Sequence, residues 1–457
     1  RGTSYDKNIQ SINGNLLSLN LNNPFKLFRV NTTLMGQKLT NTNEYNPLGR
    51  DLINKFNFDT DLFWESNNGK NSIGVSLSYF ERSDSSKTLT STEIEISNNS
   101  TRIERKQLAL EHKLSISDNL SLKQVYNKSI YRRHYKQDGV DPLFFRNDIT
   151  DEAVSHYDLG LVTNWSRATL SGGIEYSMPS YESDRIKGGK HDLLSRALFI
   201  QSEYKISDRV SLISGLRYDR YENNKVFSPR LAYLFKPSNY LKYRFSYGEG
   251  FRAPSFLETL IDFYNIENGY KVEGNSILNP EKSKGVTMNI EYSNKNNFQI
   301  SALVYRNTFL NKITTQQTLT ASSSDPIIYK YENISDATYN GFELGTNFLI
   351  SNRTSSKLMF NIRNNYDGDG VDIPNYIPIS LGMKFAHNLV AYKIKFIFNS
   401  SSNYRNKGGS FHLIDLQIRK NITNTLSLNL GMKNLGNYTN DIYGPYIGRS
   451  IYVEIIK

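Results

Sequence analysis

Ten short polar turns divide this 457-residue chain, each flanked by segments in which apolar and polar side chains alternate. The turns fall at Asn23-Pro24, Asn67 to Gly69, Asp118-Asn119, Asn164 to Ser166 and Ser207-Asp208. They continue at Pro237 to Asn239, Asn294 to Asn297, Asn352-Arg353, His387-Asn388 and Thr423-Asn424. Three share one local form: Leu114-Ser-Ile-Ser-Asp-Asn-Leu-Ser-Leu122, Lys205-Ile-Ser-Asp-Arg-Val-Ser-Leu212 and Asn421-Ile-Thr-Asn-Thr-Leu-Ser-Leu428. A tight turn on one side and a longer, variable connection on the other is the layout of an antiparallel barrel that crosses a membrane. Ten such turns plus a strand at each end predict an all-β fold: a 22-stranded antiparallel transmembrane β-barrel with short periplasmic turns and longer extracellular loops.

The strands carry the chemistry that such a wall requires. Leu198, Ile200, Tyr204 and Ile206 share one face of a segment whose other face holds Gln201, Glu203 and Lys205. Beyond the turn, Val210, Leu212, Leu216 and Tyr218 oppose Ser211, Gly215, Arg217 and Asp219. The same period of two returns at Val286 to Tyr292 and at Leu426 to Met432. A soluble sandwich also alternates, but here the polar face is charged almost throughout, as suits a wet lumen. Mean hydropathy is −0.53, and no apolar run approaches the ~18 residues of a membrane helix. A membrane β-strand needs only about 9–11 residues, which leaves roughly half the chain for turns and loops. The 31 Tyr and 24 Phe are numerous enough for aromatic girdles at both interfaces.

Other classes are excluded on similar grounds. With no cysteine there are no disulfides and no thiolate metal sites. The net charge of +11 is spread along the chain rather than gathered in a nucleic-acid face. Arg132-Arg133-His134 and Lys187 to Lys190 are expected in outer loops, as solvated cations or contacts to anionic lipid headgroups. The six histidines are scattered, and no Ser-His pair oriented by a third group suggests an enzyme.

Between the sixth and seventh turns runs Tyr247-Gly-Glu-Gly-Phe-Arg-Ala-Pro-Ser-Phe-Leu-Glu-Thr-Leu260, then Gly274-Asn-Ser-Ile-Leu-Asn-Pro-Glu-Lys-Ser283. Downstream lie Tyr331-Glu-Asn-Ile-Ser-Asp-Ala-Thr-Tyr-Asn-Gly-Phe-Glu343, Lys433-Asn-Leu-Gly-Asn-Tyr438 and Gly444-Pro-Tyr-Ile-Gly-Arg449. In type, order and separation these motifs resemble the signature of TonB-dependent outer-membrane receptors, clearly so over about residues 200–457. The matching positions are Phe251, Arg252, Ala253 and Pro254; Asn279, Pro280 and Glu281; Gly341 and Glu343; and Gly448 and Arg449. Physically they read first as barrel construction. Pro254 removes a ladder donor, Arg252 is free to project into a polar lumen, Gly341 permits close backbone approach, and Glu343 can face inward.

The resemblance implies active uptake of a scarce, bulky nutrient across the outer membrane of a Gram-negative bacterium. Cobalamin and a ferric siderophore rank equally, with haem behind them. It implies partners: TonB-ExbB-ExbD, the nutrient ligand, outer-membrane lipids and, in some systems, a surface lipoprotein. No cofactor is required. Residues 1–457 are expected to form the receptor β-barrel alone, since neither an N-terminal plug domain nor a TonB box is recognised before the first turn. The chain then reads as the barrel portion of a longer receptor. The alternatives are a passive pore, or a membrane-anchored docking scaffold for a surface lipoprotein or secretion complex.

Candidate ligand contacts are Phe263, Tyr264, Tyr270 and Asn275 in the seventh outer loop, and His134 and Tyr135 in the fourth. Aromatics at a barrel mouth can stack on a planar ligand, or pack the loop on its neighbours. Asp367, Asp369 and Asp372 alternate around a glycine turn, which would suit Ca²⁺ or a simple acidic turn.

Overall fold

The computed structural model describes residues 2–3, 12–24, 28–41, 52–89, 95–139, 145–222, 224–265, 269–294, 297–318, 326–334, 336–373, 376–405, 409–423, 425–440, 444 and 448–456. The wall begins with β1 (Gly2–Thr3), β2 (Ile12–Pro24), β3 (Phe28–Asn41), β4 (Leu52–Glu65), β5 (Asn71–Leu89) and β6 (Glu95–Ser115). Next come β7 (Leu120–Gly139), β8 (Arg146–Asn164), β9 (Ala168–Ser183), β10 (Lys190–Asp192), β11 (Ser195–Ser207) and β12 (Val210–Tyr221). After β13 (Asn224–Phe235) and β14 (Leu241–Arg252), an outer-loop excursion holds helix α1 (Phe256–Leu260), β15 (Asp262–Asn265) and β16 (Tyr270–Glu273). The wall resumes with β17 (Glu281–Ser293) and β18 (Phe298–Leu310), and a second excursion holds β19 (Ile313–Thr318) and β20 (Ile327–Asn333). It ends with β21 (Ala337–Ser351), β22 (Thr354–Asp367), β23 (Ile379–Leu389), β24 (Ile394–Tyr404), β25 (Phe411–Asn421), β26 (Ser427–Lys433) and β27 (Ser450–Ile456).

Setting aside β10 and the four excursion strands, 22 strands form one antiparallel sheet. Each is hydrogen-bonded to its neighbour in sequence, and β1 pairs both with β2 (Gly2↔Gly14) and with the last strand (Gly2↔Tyr452). The two ends of the chain therefore meet in the wall. The expected tight turns link the strands at one end. One is misplaced in the sequence reading: His387 and Asn388 lie inside β23, and the turn is a single 3₁₀ segment, Val390–Tyr392, closed by Lys393 in the left-handed region. The strand ladder runs two residues further because Asn388 and Leu389 still find partners in Lys395 and Ile394.

The two faces separate as the alternation requires. Leu198 and Ile200 are 56% and 53% exposed, on the lipid side. On the opposite face of the neighbouring strand, Arg217 donates to both carboxylate oxygens of Glu175, at 2.7 Å each, and also to Asp219. Aromatic side chains collect near the tight-turn ends: Phe235 stacks on Tyr243, and Tyr292, Phe298 and Phe348 form a chain of ring contacts. This is a girdle at one membrane interface. Inside the wall, Tyr305 lies over Gly341 on the adjacent strand, its direct partner. A Cβ at Gly341 would stand 2.3 Å from the tyrosine ring, so glycine makes room there for a side chain and not for the expected backbone approach.

The wall is uneven in height. Strands β5 to β8 are 19 to 21 residues long, whereas β23 to β25 have 11 each. At about 3.3 Å per residue, the longer strands extend about 26–33 Å further along their own direction. This corrects the placement of Arg132-Arg133-His134, which belong to β7 and not to a loop. Polar residues beyond the bilayer stay in the ladder because each strand satisfies the next one's backbone groups.

Candidate functional site: the outer mouth

The Phe251-Arg252-Ala253-Pro254 and Asn279-Pro280-Glu281 motifs meet at the outer end of the wall. Arg252 ends β14 and is registered directly against Glu281, the first residue of β17. Its Nε donates to Glu281 at 2.8 Å, and its two terminal nitrogens donate to Glu258 of α1 at 2.8 and 3.0 Å. Arg252 stands on the polar face of β14, with Arg244 and Ser246, and is engaged there by the loop base. Glu258 closes a capping box, accepting from the Ser255 backbone N–H at 2.7 Å while its own N–H donates to the Ser255 hydroxyl. Glu281 accepts in addition from the Ile313 N–H, at the start of the second excursion. One guanidinium thereby ties two strand ends, a helix and, through Glu281, the following loop. Burial pushes the Glu258 carboxyl upward, but the hydrogen bonds from Arg252 and Ser255 outweigh it and hold it below the ordinary carboxylate range.

Above this latch the two excursions share a small sheet. β15 pairs with β16, β16 runs parallel to β20, and β20 pairs with β19. Tyr270 contacts Tyr329 edge-on within it, and the Tyr270 hydroxyl accepts from Asn265 at 3.1 Å. Lys271 bonds Asp262 and Glu273 at 2.9 Å each, and those carboxylates raise its ammonium above the usual range. The neighbouring connection after β9 docks on the same unit: Lys187 donates to the Leu260 carbonyl, and Asp262 to that of Arg185.

On the inner face of the tall wall, cations and rings converge. The Arg185 guanidinium carbon is 4.3 Å from the Phe263 ring centre and 5.6 Å from that of Tyr135. Arg146 lies 4.8 Å over Phe263 and donates to the Tyr264 carbonyl at 2.6 Å, while Arg133 lies 5.3 Å over Tyr135. Asp148 is the carboxylate bonded to Arg185, at 2.5 Å. Of the predicted contacts, Tyr135, Phe263 and Tyr264 come together here, although two of the three already serve as loop packing. Tyr270 lies in the small sheet beside them. Asn275 caps its own turn, its side chain accepting from the Ile277 N–H. His134 alternates to the other face of β7, with Ile130 and Arg132, and bonds Asn147 at 2.6 Å. Arg146 and Arg185 escaped the sequence reading, and Arg133 was read only as a solvated loop cation, because the three come from separate strands and loops. Only their register, Gln137 against Arg146 and Tyr135 against Asp148, brings them together.

The remaining candidates serve their own turns. The Asp367 carboxylate accepts from the backbone of Asp369 and Val371. Among the described residues, no group of three or more acidic or histidine side chains is arranged to hold a metal ion. Glu343 stands opposite Leu303 and Asn361, on the face that carries Tyr305, and makes no ion pair among the described residues. Gly448 and Arg449 fold the last outer loop back on itself, with the Arg449 N–H donating to Asn437 at 2.7 Å and its side chain to the Leu435 carbonyl at 3.0 Å.

The profile of a family described as TonB dependent receptor-like, beta-barrel, matches residues 15–435. The chain belongs to that family. It is an outer-membrane receptor barrel of a Gram-negative bacterium and not an enzyme. Among curated proteins, the iron-regulated outer membrane virulence protein of Vibrio cholerae serotype O1 is 29% identical over 150 residues, 32% of this chain and 23% of that protein. The match therefore spans less than a quarter of the relative's length. The siderophore receptor PirA of Pseudomonas aeruginosa superposes with a TM-score of 0.79 at 14% identity, over 99% of this chain and 78% of PirA. The PirA of Acinetobacter baumannii gives 0.80 at 14% over the same shares. A ferric enterobactin receptor mutant of P. aeruginosa, solved with enterobactin, gives 0.79 at 14% over 99% and 79%. At these identities the structural likeness speaks for the fold.

Proposed function

We propose that this TonB-dependent receptor barrel imports an anionic ferric chelate with aromatic metal-binding groups, a siderophore. The observation that carries the reading is the inner-face cluster at the mouth. Arg133, Arg146 and Arg185 surround Tyr135 and Phe263, with Asp148 as the carboxylate bonded among them. A surplus of guanidinium over aromatic rings suits a ligand that is both negatively charged and planar. A corrinoid, large and close to neutral, gains less from it, and haem would want an axial ligand where His134 faces the other way. The iron-regulated relative and the siderophore receptors among the structural neighbours support the same choice. Import in this reading is energised through TonB with ExbB and ExbD.

The test is binding to receptor purified from outer membranes, followed by quenching of intrinsic fluorescence. The probes are a ferric tris-catecholate chelate and, separately, cyanocobalamin. The catecholate is expected to bind, and Arg133→Gln with Arg146→Gln to weaken it about tenfold or more. Tight cyanocobalamin binding with none for the ferric chelate would overturn the proposal.

A further inference from the structure

Three cations stand in direct cross-strand register on the outward face of the barrel. Arg196 of β11 is partnered with Arg220 of β12, and Arg220 with Lys225 of β13. All three are exposed. Like charges placed directly opposite each other in a ladder repel. Some charges of the wall are neutralised by neighbours: on the inner face of these strands Arg217 is bonded to Glu175 and Asp219, and on the outer face of the tall wall Arg132 is bonded to Asp151. Other like-charged partners, Lys357 with Lys384 and Lys395 with Arg419, stand on the wet inner face. Among the described residues, no carboxylate is ion-paired with Arg196, Arg220 or Lys225.

Their height in the wall is equally specific. On each of the three strands the outward run, apolar but for Ser202 and Ser214, starts at the tight-turn end and finishes at Leu198, Tyr218 and Phe227. These are themselves direct partners, and the two rings lie 4.9 Å apart. Each run covers about nine residues, enough to span the hydrocarbon. The cation follows two residues later, at the level of the lipid headgroups. Here the wall also stops: the β12–β13 hairpin reaches its last ladder pair, Tyr221 with Asn224, one residue beyond the cations.

We propose that this row seats a phosphorylated lipid of the outer leaflet, its phosphates against Arg196, Arg220 and Lys225 and its acyl chains against Leu198, Tyr218 and Phe227. Adjacent strands lie about 4.8 Å apart, so the row is about 10 Å wide and one headgroup reaches all three cations. Guanidinium groups bind phosphate with paired hydrogen bonds, and the bound anion removes the repulsion within the row.

The test uses the receptor purified from outer membranes, with lipid A bisphosphate titrated in detergent and binding read by native mass spectrometry. R196Q/R220Q/K225Q is expected to bind about 100-fold more weakly, since each cation near a membrane surface contributes about a factor of five to anionic-lipid binding. Assembly of the variant is checked by heat-modifiable gel migration, and R220Q alone, losing about fivefold, serves if the triple variant does not assemble. R196K/R220K should retain binding, and dephosphorylated lipid A should not distinguish the triple variant from wild type. Equal binding of lipid A bisphosphate by wild type and the triple variant would overturn the proposal. So would its displacement by millimolar inorganic phosphate, which would mark the row as a free-anion site.

Discussion

Replacing Arg252 with alanine should open the outer mouth while leaving the barrel intact. The guanidinium makes three hydrogen bonds to two carboxylates, Glu258 and Glu281, whose side chains are only 15% and 14% exposed. Bonds to charged groups contribute about 1.5–3 kcal/mol each before solvent screening. Arg252 itself is 45% exposed, which discounts that figure. Against the discount, the alanine variant leaves two poorly hydrated carboxylates facing one another without a cation. A net local cost of about 2 kcal/mol follows, or about a 30-fold rise in the open population of the loop. The loss is local because the β14–β17 ladder that Arg252 terminates remains fully paired below it. Hydrogen exchange is the direct assay. Amides of α1, β15 and β16 should exchange about 30-fold faster, and those of β14 and β17 at unchanged rates. Arg252→Lys, which keeps the charge but loses the fork, should fall between. Unchanged protection of α1 in Arg252→Ala would refute the latch, and so would uniform loss of protection across β14 and β17.

Four further outcomes follow from the same geometry. Because hydrogen bonds hold the Glu258 carboxyl below its ordinary value of 4.5, the latch is complete above that value and lost as pH falls through the lowered one; α1 exchange measured down a pH series should accelerate only in acid. Ser255→Ala removes one side of the capping box and should cost α1 about 1 kcal/mol, seen as faster exchange in that helix alone. Gly341→Ala drives a methyl into the Tyr305 ring and should cost about 1–3 kcal/mol in denaturant titration, recovered in the Tyr305→Ser background. Ile200→Arg, on the lipid face, should cost about 2–4 kcal/mol, whereas Gln201→Arg on the lumen face of the same strand should be nearly neutral.

The sequence was legible wherever a local rule governed the outcome. A strand shows its faces in a period of two, so the sequence alone separates Leu198 and Ile200 from Gln201 and Glu203. Tight turns draw on a short list of residues, so nine of the ten fell where a strand ends or just beyond it. The tenth failed because His387 and Asn388 are turn-like residues that happen to have ladder partners. Strand length beyond the membrane was illegible for a related reason: Arg132, Arg133 and His134 look like loop residues, and only the neighbouring strands' backbone groups keep them extended. The motif residues were found and read as barrel construction, but their partners were not. Alternation alone puts Arg252 on the lumen face, and only the structure shows that Glu281 and Glu258 hold it there, the latter on a helix six residues downstream.

By itself, then, the sequence determined the class of molecule: strand number, the side of each strand that meets lipid, and the family. These depend on spacing along the chain, which is local. Tertiary structure alone decided which charges meet. Arg133, Arg146 and Arg185 gather around Tyr135 and Phe263, and Arg196, Arg220 and Lys225 line up at the lipid headgroups, because register between strands sets lateral neighbours. A one-residue slip would send every one of those side chains to the other face. Register is fixed by the sum of all the ladder bonds and the buried face together, and no short stretch of sequence carries that sum.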